Sequence, residues 1–183
     1  MGQRYQEITD KNKAFIEKQK IFFVGTAAQD GRVNISPKGM DSLRILGKNQ
    51  VVWLNMTGSG NETAAHVQEN NRMTLMFAAF EGNPLILRIY GQAECIHKGD
   101  SEWEKFAELF PAIPGARQIF NLHVDLVQAS CGTSVPLYHY VEDRDQLAKW
   151  AAKKGDDGIR RYWKDKNQIS LDGKPTLIIE KST

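Results

Sequence analysis

Cysteine is scarce in this chain. Only Cys95 and Cys131 occur in 183 residues, far apart and in no Cys-x-x-Cys pair. That excludes a disulfide framework, a zinc ribbon and a dithiol redox motif, and both read as free thiols. No apolar run approaches the ~18 residues of a membrane span. Met1 to Lys20 is polar and lacks the apolar core of a signal peptide. A cytoplasmic protein without a membrane partner is therefore expected. The 24 basic and 22 acidic side chains nearly cancel, giving +2, and so argue for no nucleic-acid partner. His66, His97, His123 and His139 show no metal-ligand spacing, so no metal site is expected. Neither cysteine nor any serine lies in a nucleophile elbow. No carboxylate couple stands out, and no P-loop or dinucleotide glycine fingerprint follows a strand. A chain so poor in reactive side chains points to chemistry carried by a bound cofactor.

The length and a 41% hydrophobic, 25% charged composition suit one globular domain. Strand signals dominate the first 130 residues. A helix is predicted over 5–20. The apolar, β-branched run 21–28 follows, and Asp30-Gly31 then marks a tight hairpin turn. The chain returns through 32–36, where Pro37 is expected to end pairing. Strands are predicted at 43–46, 50–55, 72–80, 85–96 and 118–129. Ser101 and Glu104 form a capping-box pair for a helix over 101–110. Two helices, 145–154 and 156–166, are split by Gly155. The expected fold is mainly β with peripheral helices: a six-stranded antiparallel barrel over 1–140, with 141–183 as a C-terminal helical extension of the same domain.

The most informative segment is Val51 to His66. It reads as a buried strand, a glycine-rich turn and a helix start. Ser59 and Glu62 have capping-box spacing, which places that start near Gly60. A helix start presents backbone N–H groups and partial positive charge. Gly58 and Gly60 permit close approach, and Thr57, Ser59, Asn61 and Thr63 add polar groups. The segment can therefore serve as a phosphate cradle; an ordinary capped strand–turn–helix junction would look the same.

The order of these features resembles the pyridoxamine 5'-phosphate oxidase-like family of FMN-binding split barrels. The resemblance is carried by Asn34-Ile35-Ser36-Pro37-Lys38-Gly39, by Val51 to Asn55 with Thr57-Gly58-Ser59-Gly60-Asn61-Glu62-Thr63, by His66 to Phe77, and by Leu87 to Ala93. It covers about residues 15–135, and Ser170 to Thr176 resembles a tail seen in one branch. It implies a dimeric split β-barrel with FMN between subunits; FAD, a deazaflavin or haem are the alternatives found in the family. Its phosphate would lie near the cradle, with Lys38 and Arg88 as candidate charges and Glu62 or the phosphate as partner of Arg88. The isoalloxazine would run along strands ending at Ser36, Pro37, Lys38 and Gly39 and at Trp53 to Asn55. Where oxidases of the family carry basic residues after the cradle, this chain has Asn61-Glu62-Thr63, so the oxidase reaction itself is not expected. The implied activity is a flavin-dependent oxidoreductase with hydride transfer through N5 and a small-molecule substrate or nicotinamide donor. The alternative is a non-catalytic flavin- or haem-binding module. Trp150, Tyr162 and Trp163 are expected to suit a subunit interface.

Overall fold

The structure is a computed structural model that describes residues 2–182. Eight antiparallel strands form one curled sheet, two more than expected. They are β1 (Gln3–Tyr5), β2 (Ile21–Thr26), β3 (Asn34–Gly39), β4 (Leu43–Gly47), β5 (Gln50–Met56), β6 (Arg72–Ala78), β7 (Ile86–His97) and β8 (Ala116–Ser130). The order is β3-β2-β6-β7-β8-β5-β4. The 15-residue β8 pairs with β7 along most of its length, with β5 on its first half and with β1 near its end. Four helices accompany the sheet: α1 (Asp10–Ile16), α2 (Glu62–Glu69), α3 (Trp103–Ala107) and α4 (Gln146–Lys166).

The sheet curls because its two faces differ. Phe22 and Val24 of β2, Val51 and Trp53 of β5, Leu75 and Phe77 of β6, Leu87 and Ile89 of β7 and Phe120 and Leu122 of β8 meet in one core inside the curl. Alternate residues of β5 and β8, Val52, Leu54 and Ile119, pack outward under α3. The curl brings the two ends of the sheet face to face. Lys38 on the edge strand β3 lies with Nζ 5.4 Å from the ring of Trp53 on β5. Asn34 Nδ2 on β3 donates to Thr63 Oγ1 at the start of α2 (3.3 Å). The result is a split barrel.

Several sequence expectations need correction. The predicted first helix is shorter: Gln3–Tyr5 pairs with Val127–Ala129 instead, and Thr9 with Asn12 forms the capping box that starts α1. Pro37 does not end pairing. It lies opposite Phe23 within β3, and an edge strand tolerates a residue without an N–H. Neither predicted capping box downstream forms. The N-caps of α2 and α3 are Asn61 and Glu102, without side-chain cap bonds. Gly155 does split the C-terminal helix, with φ 64° and ψ 172°.

Candidate functional site

The turn after β5 is packed from outside by the chain's own C-terminal segment. Asn167 Nδ2 donates to the carbonyls of Gly58 (3.1 Å) and Ser59 (3.3 Å). The Glu62 carboxylate, instead of capping α2, accepts the Leu171 N–H at 3.0 and 3.1 Å. Thr57 is buried; its Oγ1 donates to the Gly115 carbonyl (2.7 Å) and accepts from Trp163 Nε1 (2.8 Å). Trp163 is thus core within the subunit, and Trp150 packs edge-on against Tyr162; this is where the aromatics expected at an interface are placed. The tail then folds on itself at Gly173 (φ 77°). Asp172 accepts the Arg32 N–H (2.8 Å) and pairs with its guanidinium. Gly31 is required there: its φ is 91°, and a Cβ would lie 2.6 Å from Asp172 Oδ2. Lys174 joins Asp30 (2.7 Å) to Glu69 (2.5 Å), which lowers both carboxyls below their ordinary range.

The inner side of the same turn is different. The inward-facing residues of β3 are Asn34, Ser36 and Lys38, alternating with Ile35 and Pro37 outside. Across the curl stand Trp53 and Asn55 of β5. Trp53 is fully buried, stacked on Phe120 at 4.5 Å and met edge-on by Phe22. It is a core residue. Asn55 Nδ2 donates to Gln118 Oε1 (3.2 Å), and Asn61 Nδ2 to the Asn167 carbonyl (3.3 Å). The remaining polar atoms here, Ser36 Oγ, Trp53 Nε1, Asn55 Oδ1 and Asn61 Oδ1, are buried without a partner. Such groups cost free energy unless something satisfies them.

Arg117 joins this interior, and the sequence carried no signal for it. Asn55 pairs with Gln118 and Met56 with Ala116, so Arg117 is the extra residue of a β-bulge. A bulge re-aims a side chain. Here Nη1 donates to the Gly60 carbonyl (3.0 Å) and to Asn167 Oδ1 (2.9 Å), while Nε has no partner. Burial pushes its pKa down to about 10. Burial, then the Arg117 charge, pushes Lys38 down to about 8. Among the described residues no carboxylate faces either cation.

Arg88 is not brought to this place. It lies opposite Met76, which pairs with Phe23, so it shares the outer face of the sheet. Its Nη1 donates to Ser130 Oγ (3.1 Å), not to Glu62. With Phe23, Ile35, Met76 and Tyr90 it lines a shallow outer depression of about 520 Å³. A larger groove of about 1450 Å³ opens beside Pro37, Lys38, Gly39 and Met40. Phe15 of α1, Phe80, Tyr138 and Tyr140 form its apolar walls. Tyr138 is held there by its N–H to the Phe80 carbonyl (2.9 Å) and by its ring against Phe80. Met40, at φ 61°, turns the chain sharply at the groove's edge. Among the described residues no cluster of three His, Cys, Asp or Glu side chains could hold a metal ion.

Fold and site together define an antiparallel split-barrel protein whose apolar interior ends in a polar, cationic patch beside an aromatic groove. Residues 8–131 match the pyridoxamine 5'-phosphate oxidase family. The family protein ustO of Aspergillus flavus is 32% identical over 94% of this chain and 77% of its own length. HupZ from Group A Streptococcus shares the fold at TM-score 0.52 and 24% identity, over 65% of this chain and 91% of that one. A Lactobacillus delbrueckii protein does so at TM-score 0.53 and 20% identity, over 67% and 94%. The chain belongs to the pyridoxamine 5'-phosphate oxidase family.

Proposed function

We propose that the protein binds FMN and is a flavin-dependent oxidoreductase acting on a small molecule or a nicotinamide donor. The observation that carries this is Lys38. Its ammonium is largely buried, makes no hydrogen bond or ion pair, and stands where the groove meets the barrel interior. A desolvated cation without a counter-ion is costly, and a bound anionic cofactor would supply one. The residues present fit that group: cationic and polar atoms in want of partners inside, aromatic walls and the Pro37 to Met40 backbone outside.

When bound, the flavin supplies hydride chemistry. This chain's residues would hold and surround it. Lys38 would face the developing negative charge, worth most where water is excluded. Phe15, Phe80 and Tyr138 would exclude that water. Ile35 on the outer face of β3 and Val33 just before that strand stand exposed, an apolar strip suited to a second copy of the chain, and a homodimer is part of the proposal.

The test is a visible spectrum of the protein after FMN addition and desalting. Retained flavin bands that bleach with NADH or NADPH support the proposal. Retained bands that no donor bleaches would leave a binding module, and loss of all flavin would refute it. Sedimentation as a monomer would refute the dimer.

A further inference from the structure

The segment from Cys131 to Asp145 joins β8 to α4 without regular structure. A loop of that length is uncommon in a compact domain unless it serves a site. Its two ends are fixed. Gly132 is buried on the backbone of Leu85, where a Cβ would lie 2.8 Å from the Leu85 nitrogen. At the other end α4 is anchored by Ala151, Ile159 and Trp163, which pack with Ile178. The middle is not fixed in this way. Every residue from Pro136 to Asp145 is exposed, Leu137 at 74% and Val141 at 86%. A segment that buries so little opens at small cost.

The contacts that hold this strap lie at the mouth of the large groove, which Tyr138, His139 and Tyr140 line together with Lys38. The Tyr138 N–H donates to the Phe80 carbonyl, and the two rings lie 5.6 Å apart. Tyr140 links the two walls. Its N–H donates to Glu81 Oε1 (3.1 Å) on the β6–β7 turn, and the Lys20 ammonium stands over its ring at 5.2 Å. Lys20 lies beside β3: a Cβ on Gly39 would be 3.2 Å from the Lys20 carbonyl oxygen. We propose that residues 133–145 form a gate on the groove, with Tyr140 as its latch between Glu81 and Lys20. The gate swings between Gly132 and the start of α4 while the barrel stays folded. Open, it frees the Phe80 ring and widens the entry. Latched, Tyr138 and Tyr140 narrow that entry over a ring bound within. Both latch contacts are at the surface, where each is weak enough to release and re-form. That the enclosed ring is a flavin rests on the function proposed above; the opening of the gate does not.

Hydrogen exchange of the Tyr138 and Tyr140 amides tests this, with the β8 amides as reference. The strap amides should exchange at least about 100-fold faster than those of β8. Low urea should accelerate β8 and not the strap, because local opening exposes little surface. Glu81→Ala removes the acceptor of Tyr140 alone, yet should speed Tyr138 exchange about tenfold as well, because the strap opens as a unit. Lys20→Gln should act in the same direction and less strongly. Strap amides that exchange only as β8 does, or Tyr138 exchange unmoved by Glu81→Ala, overturn the gate. FMN and 8-anilinonaphthalene-1-sulfonate, an aromatic ion that needs no flavin site, are the groove probes. Either, once bound, should slow strap exchange at least about tenfold. Bound FMN that leaves the strap unchanged overturns the gate and leaves the flavin function standing. Slowing by the sulfonate with no FMN bound upholds the gate and refutes the flavin function. No slowing by either probe overturns the gate.

Discussion

Lys38 makes the protein less stable than it could be, and Lys38→Met should reveal by how much. Burial, and the Arg117 charge after it, hold the Lys38 pKa at about 8 rather than 10.5. At pH 7 the lysine is protonated in both the folded and the unfolded chain, so the whole penalty is felt, about 3 kcal/mol. The methionine side chain keeps most of the aliphatic stem and removes the charge. It also removes the cation–π contact with Trp53, worth about 1 kcal/mol. The net gain is then about 2 kcal/mol, or roughly 4–8 °C in melting temperature for a chain of this size. The pH dependence has a definite sign. Between pH 8 and 10.5 the unfolded chain binds more protons at Lys38 than the folded one, so wild-type stability rises with pH through this window. Lys38→Met should lack that rise. Urea unfolding at pH 7 and pH 9.5 in phosphate-free buffer measures both; Arg117, at about 10, adds little below that range. A variant less stable than wild type at pH 7, or one with the same rise, would refute the argument that Lys38 is an uncompensated buried charge.

Asn167→Ala removes the bonds to the Gly58 and Ser59 carbonyls and one of the two acceptors of Arg117 Nη1. It should cost about 3 kcal/mol and expose residues 167–176 to protease before the barrel unfolds, which limited proteolysis would time. Gly91→Ala would place a Cβ 2.0 Å from the His123 carbonyl oxygen across the β7–β8 pair. That requires backbone displacement, with an expected loss of about 3 kcal/mol or more in the urea midpoint. His97 is buried against Gln118, the Thr176 carbonyl, Cys95 and Asp100, and burial holds its pKa below 6.5. The unfolded chain therefore takes its proton first as pH falls below 6.5, and stability drops. His97→Gln should flatten that acid limb; an unchanged slope would show that other groups set it.

Local signals were legible wherever a residue's neighbours in sequence decide its conformation. The apolar, β-branched run 21–28, the chain reversal at Asp30-Gly31 and the split at Gly155 each rest on local composition or glycine freedom; β2 and the Gly155 split appear where those signals put them, whereas Asp30-Gly31 lies in a loop spanning 27–33 and not in a tight turn. Family membership was legible too, because it rests on short motifs around Lys38 and the β5–α2 turn. Partners distant in sequence decided the rest. Ser59 and Glu62 have the spacing of a capping box, yet Glu62 is taken by Leu171, more than one hundred residues on. Pro37 reads as a strand breaker until topology places β3 at an edge. Arg88, mid-strand among apolar residues, looked fit for a ligand, but which face of the sheet it occupies follows from strand pairing. Arg117 stands in an unremarkable strand sequence; only a bulge in its pairing with β5 turns it inward. Period and propensity are properties of the chain, readable residue by residue. Burial, orphaned donors and the meeting of two cations without a counter-ion are properties of a closed surface, and they exist only once the sheet has curled.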